Sequence, residues 1–154
     1  MKKDNLINEI RVEASQLNFN QPLGRFLIIL FRQFEDELIS ELKMLGHETI
    51  SASDLNVIRH VDPQGISSNR IAQLAGVTKQ AIGKQIDKLE KDGIVKRMNH
   101  PDDQRVKLII FTKKGQKLVL DSIVIIGKIE NRYARILGGK NELENIKRSL
   151  QSLL

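Results

Sequence analysis

Between residues 70 and 89 the chain reads RIAQLAGVTKQAIGKQIDKL, and its apolar positions fall into two short helical stripes with a turn between them. Ile71, Ala72, Leu74 and Ala75 share a face at helical spacing, while Ile82, Ile86 and Leu89 recur at i, i+4 and i+7. Gly76 supplies the turning position, Val77 is expected to plug the corner, and Thr78 stands where a hydroxyl can cap the second helix. Lys79, Gln80, Gly83, Lys84 and Lys88 are left on the outward side. Ala72 stands where two helices cross closely, and a larger side chain there would push them apart. The pattern predicts a helix-turn-helix whose second helix offers Lys and Gln, side chains that suit phosphate, guanine and adenine.

The flanking pattern is also mainly helical. Leu6, Ile7, Ile10, Ala14 and Leu17 predict a short amphipathic helix over 4–17, broken by NFNQP. A second runs from about Pro22 to Leu45 with Phe26, Leu30, Phe34, Leu38 and Leu42 on a wide stripe, and Gly46 ends it. Ser51 or Ser53 caps a third helix carrying Leu55, Ile58 and Val61, stopped by Pro63 and Gly65. Ser67 caps the first helix of the two-helix motif. After Gly93, the β-prone runs 94–98 and 105–111 flank a Pro- and Asp-rich turn, a hairpin directly behind the helix pair. Arg105 stands at the base of that turn with Asp103 two residues earlier, placed to hold it extended. A lone Arg on a projecting hairpin suits the negative potential of a narrow minor groove. Thr112 caps a long helix to about Leu137 that is apolar on more than one side. Asn141 and Glu144 have capping-box spacing for a last helix lined by Leu143, Ile146, Leu150 and Leu153. The expected fold is mainly α with a small β-hairpin wing. Helices at about 4–46 and 113–154 would serve dimerisation around a winged-helix lobe at about 51–112, in a single domain. The apolar surface of the terminal helices asks for a second copy, and a two-fold would set two recognition helices about one DNA turn apart.

Charge sharpens this picture. The chain of 154 residues carries a net charge of +6. Residues 70–117 hold 12 Lys and Arg against 5 Asp and Glu, an excess of +7, and the remainder nets −1. The positive excess therefore lies on the third of the chain that holds the two-helix motif, as in a polyanion binder. Zero cysteines exclude disulfides, a thiol redox sensor and zinc–thiolate sites. No apolar run approaches a membrane span, and no apolar core follows the N-terminal lysines, so a cytoplasmic, nucleoid-associated protein without membrane contact is expected.

Enzyme chemistry finds little support. His47, His60 and His100 lack a metal-ligand neighbour at i+3 or i+4, and Asp102 and Asp103 sit in a tight basic turn. The Gly-Lys pairs at 83–84 and 139–140 lack the upstream glycine of a phosphate loop. No catalytic residue, metal site or cofactor is expected. The serious alternative is a winged helix used as a protein-interaction module, its basic face docking an acidic partner. Steep salt dependence of DNA binding separates the two.

Over nearly its whole length, and most strongly from residue 67 to 118, the chain resembles the MarR family of bacterial transcriptional regulators, through IAQLAGVTKQAIGKQIDKLEKDGIVKR and then HPDDQRVKLIIFTKKG. Pro101, Asp103, Arg105, Thr112 and Gly115 hold the matching wing positions. The resemblance implies a homodimer whose recognition helices enter the major grooves of a pseudo-palindromic operator, usually to repress. Carried over by position, Thr78, Lys79, Gln80 and Lys84 would contact bases or phosphates and Arg105 would enter the minor groove; Ser67, Arg70, Lys88 and Asp103 complete the expected DNA-binding set. Many members are released by a small aromatic or phenolic ligand; Arg25, Arg32, His47 and His60 fall near the helices that line such a pocket, where each is read first as a surface or dimer-contact residue and second as a ligand contact. Three departures stand out. His100 replaces a common Asp, Gly83 replaces a hydroxyl residue, and Lys84 replaces an Arg, exchanging a rigid fork for a point charge.

Overall fold

A computed structural model describes residues 22–100 and 105–154. Two compact units make up the chain, Met1–Phe34 and Glu35–Leu154. Helix α1 (Leu23–Met44) crosses that boundary. It starts directly after Pro22, whose carbonyl accepts the Arg25 N–H at 2.8 Å, and stops before Gly46, which turns at φ +90°. The part of α1 in the first unit exposes Leu23, Phe26, Leu27, Ile28 and Leu30. The helix expected over 4–17 lies outside the described residues.

The second unit continues with α2 (Ala52–Ile58), β1 (Ile66–Ser67), α3 (Ser68–Ala75), α4 (Lys79–Lys91), β2 (Val95–Asn99), β3 (Lys107–Phe111), α5 (Lys113–Leu137) and α6 (Lys140–Gln151). The architecture is mainly helical with a small antiparallel wing, as the pattern predicts. Its core is aliphatic: Leu42, Ile71, Ile86, Leu89, Ile109 and Leu118 are sealed from solvent. Burying a side chain of this kind contributes about 1.5–3 kcal/mol.

The hairpin gains a strand that the pattern did not predict. Strand order is β1-β3-β2, with Ile66 opposite Ile109 and Val95 opposite Phe111. Two residues are too short to show a period of two, yet they cover the outer edge of β3. The turn into α5 is fixed by Thr112. Its hydroxyl donates to the Gly93 carbonyl at 2.5 Å and accepts the Gly115 N–H at 3.1 Å, so one side chain ties the end of the wing to the start of the helix.

Three local expectations are corrected. Val77 does not plug the corner: its N–H reaches the Ala72 carbonyl at 3.2 Å, but the residue is 41% exposed. Leu74, expected on the inward face of α3, is 46% exposed, and the buried face of that helix is carried by Ile71 and Ala72. Asn141 does not cap α6. Gly138 and Gly139 turn at φ +97° and +147°, reversing the chain in two residues. The helix therefore opens on Lys140 with Gly139 at its cap, and Glu144 pairs with Lys147 at 3.2 Å.

Candidate nucleic-acid interface

The helix pair is built from its caps. Ser67 accepts the Arg70 N–H at 3.3 Å and opens α3, Gly76 closes it in the left-handed region at φ +65°, and Thr78 accepts the Ala81 N–H at 3.2 Å to open α4. Ile82, Ile86 and Leu89 are buried, which fixes the face of α4 turned outward. Lys79, Gln80 and Lys84 are exposed there, and their side chains have no partner among the described residues. Arg70 is also exposed, its guanidinium donating to Gln73 Oε1 at 3.2 Å.

The helix termini carry a second signature. Carboxylates normally favour the first turn of a helix, where unpaired N–H groups create positive potential. The first turns of α3, α4 and α5 hold no acidic residue and instead carry Arg70, Lys79, Lys113 and Lys114. By contrast α2 and α6 carry Asp54 and Glu142 there. Cations placed against the dipole cost stability in the free protein and suit an anion that satisfies both.

Lys88 departs from the expected outward set. Its Nζ lies 2.6 Å from Asp54 Oδ2, 3.0 Å from the Thr49 carbonyl and 3.4 Å from Asp92 Oδ2. Burial alone would push its pKa down, but the hydrogen bond and charge of Asp54, helped by Asp92, raise it above the usual lysine value. Asp54 is wholly buried and also accepts from Ser51 N at 2.9 Å, from Ser51 Oγ at 2.5 Å and from Gln85 Nε2.

On the wing, β2 is latched to α4. The Arg97 guanidinium donates to Asp87 at 2.6 Å and to Glu90, and its backbone N–H donates to Glu90 Oε1 at 3.0 Å. The hydrogen bond Arg97 donates to Asp87 raises the Arg97 pKa, and Glu90 adds to the rise against burial. His100 N–H reaches the Val106 carbonyl at 2.9 Å, closing the described part of the hairpin. Arg105 follows the turn and is exposed; Asp103 lies outside the described residues.

The residues expected near an effector are differently placed. Arg25 and Arg32 are exposed on the first unit's part of α1. His60 is half-buried, and burial followed by the charge of Arg59 lowers its pKa. His47 is buried, with Nε2 at 2.7 Å from Asp121 Oδ2. A carboxylate only accepts, so that nitrogen carries the proton. No group of three or more His, Cys, Asp or Glu that could hold a metal exists among the described residues. None of the described helices is long and apolar enough to cross a membrane.

The sequence reading missed Asp54, Gln85, Arg97 and the His47–Asp121 pair. Ser51 and Asp54 stand at capping-box spacing, the one signal that could have singled out Asp54. The other pairings join residues as far as 74 apart in the chain, and no local pattern exposes them.

Residues 50–107 match the model of the MarR family. In fold, the chain is similar to wild-type MarR from E. coli in its apo form, with a TM-score of 0.69, 21% identity and coverage of 87% of this chain and 98% of that one. It is also similar to a MarR variant from E. coli complexed with operator DNA, at TM-score 0.69 and 21% identity over 86% and 94% of the two chains. CouR from Rhodococcus jostii RHA1, bound to p-coumaroyl-CoA, gives a TM-score of 0.68 at 22% identity over 86% and 92%. With its helix pair, its latched wing and the matched lobe, this chain has the fold of winged-helix MarR proteins, and over residues 50–107 it carries the match to the MarR family model.

Proposed function

We propose that the protein is a sequence-specific double-stranded DNA-binding repressor that grips a pseudo-palindromic operator as a homodimer. The observation that carries this reading is the outward face of α4, where Lys79, Gln80 and Lys84 stand exposed and uncommitted while Lys88, Arg97 and Lys107 are engaged by their own chain. Ser67, Arg70 and Thr78 contribute from the caps and first turns of α3 and α4, and Arg105 enters the minor groove with Asp103 steadying it. The operator-bound variant of E. coli MarR, similar in fold, supports the partner. Exposed Leu120, Ile123 and Val124 on α5 support the second copy, because an apolar stripe on a long helix is stable only when covered. CouR with its p-coumaroyl-CoA supports release by a small aromatic ligand.

The test is selection of genomic fragments retained by the protein, followed by a salt titration of the tightest one. Affinity should fall steeply with salt, since a dimer of this kind contacts about eight phosphates. Arg105→Ala should weaken binding while the dimer stays intact. Binding that ignores salt, or an Arg105→Ala variant with unchanged affinity, removes the corresponding part of this reading.

A further inference from the structure

We propose that Asp54 is a positioning residue for the recognition helix and that Lys88 is its counter-ion, spent on holding α4 in place rather than on DNA. The inference rests on the DNA-binding reading and extends it to residues outside the groove-facing set. Asp54 occupies the N-terminal turn of α2, wholly buried, where a carboxylate is favoured by the free N–H groups of that turn. Ser51 N and Oγ hold it from its own helix. The rest of its accepting capacity goes to α4, through Gln85 Nε2 on Oδ1 and Lys88 Nζ on Oδ2.

Gln85 and Lys88 are three residues apart on α4, so they lie on one side of that helix and fasten it at two points to a single carboxylate. The apolar contacts of Ile82, Ile86 and Leu89 are non-directional and leave α4 free to roll or slide slightly. Two directed hydrogen bonds to one buried acid do not. An ammonium has three N–H donors. Lys88 gives two of them to Asp54 Oδ2 at 2.6 Å and the Thr49 carbonyl at 3.0 Å, and Asp92 Oδ2 stands 3.4 Å away as an ion-pair contact without a hydrogen bond, so the ammonium is already claimed by its own chain. Of the four cations on α4, Lys79, Lys84 and Lys91 therefore carry the electrostatic grip, and Lys88 sets the angle at which they are presented.

The experiment compares Lys88→Met, Asp54→Asn, their double variant and Lys84→Ala in the full chain. It uses a labelled mixed-sequence duplex long enough for both half-sites, across a salt series well below each melting temperature. Lys84→Ala should reduce the slope of log affinity against log salt by about 0.9 per protomer, the signature of a lost phosphate contact. Lys88→Met should leave the slope at the wild-type value, lower affinity several-fold at every salt, and lower the melting temperature, because Asp54 is left buried and unpaired. Asp54→Asn should also lower affinity without changing the slope. The double variant should regain the melting temperature, since no buried charge remains alone, but not the affinity.

A slope reduced by Lys88→Met as much as by Lys84→Ala overturns the proposal, because Lys88 is then a phosphate contact. Affinity that recovers in step with melting temperature in the double variant also overturns it, because Asp54 then serves stability alone. Wild-type protein that shows no salt-dependent binding sinks the DNA-binding reading itself. That outcome is distinct, being read on the unmutated chain.

Discussion

A Cβ added at Gly83 meets no atom within 4 Å, whereas one at Gly115 runs into the Ile94 carbonyl oxygen and comes within 2.9 Å of Phe111 Cδ1. The two glycines sit in helices, but only the second is required by packing, where the first turns of α5 press on the strand end at Ile94. Gly115→Ala should cost about 3 kcal/mol or more, since the obstacle is backbone and cannot rotate away. Melting should fall by about 6 °C or more. Gly83→Ala should instead stabilise by about 0.5–1 kcal/mol through helix propensity, raising the melting temperature by about 2 °C. Thermal melts of the two variants check both signs, and a Gly83→Ala variant that melts lower than wild type would show that the outward face of α4 is not open.

Caps and turn glycines made the boundaries of α3, α4 and α5 legible from the amino-acid sequence. Ser67, Gly76, Thr78 and Thr112 each act at the position where the pattern placed them, because capping depends on neighbours only three residues away. What stayed hidden depends on distant partners. Leu74 and Val77 fit the apolar pattern, yet the folded chain leaves both exposed. The same holds for ion pairs between elements. Arg132 of α5 clasps Glu37 of α1, and Asp121 of α5 takes both Lys117, one turn earlier, at 2.5 Å, and His47 at 2.7 Å. Lys117 and then His47 hold the Asp121 carboxyl below the usual range, and Arg132 does the same for Glu37. Carboxyls depressed in the folded state bind fewer protons than in the unfolded chain. Their contribution is thus fully present above the unfolded values of about 4 and is lost as pH falls through the lower folded values. The melting temperature should drop more steeply below about pH 4 in wild type than in an Asp121→Asn, Glu37→Gln double variant, as followed by circular dichroism.

At the level of the whole molecule, the apolar excess of α5 is the surface on which the proposed homodimer rests. Ile123 and Val124 are each 59% exposed, adjacent on a helix whose Leu118, Ile125 and Ile129 are buried. Ile123→Glu should shift the protein towards monomer in sedimentation, at little cost to the fold of a single chain, because the side chain touches no core. A variant that sediments as wild type would place the second copy elsewhere. DNA affinity of the monomer should fall far more than that of either groove-facing variant, since the avidity of two linked half-sites is lost.

The clasp of Arg97 on Asp87 and Glu90 bears on how such a molecule measures distance along a duplex. It ties the hairpin to α4 as two tines of one stiff fork, so in the proposed operator complex the spacing between a deep-groove word and a shallow-groove word is ruled inside each subunit. Inserting one base pair between those words should abolish recognition as completely as scrambling either. Cutting the clasp with Arg97→Ala should let the inserted site compete again, a relaxation of spelling that direct selection from a randomised-spacer library would reveal.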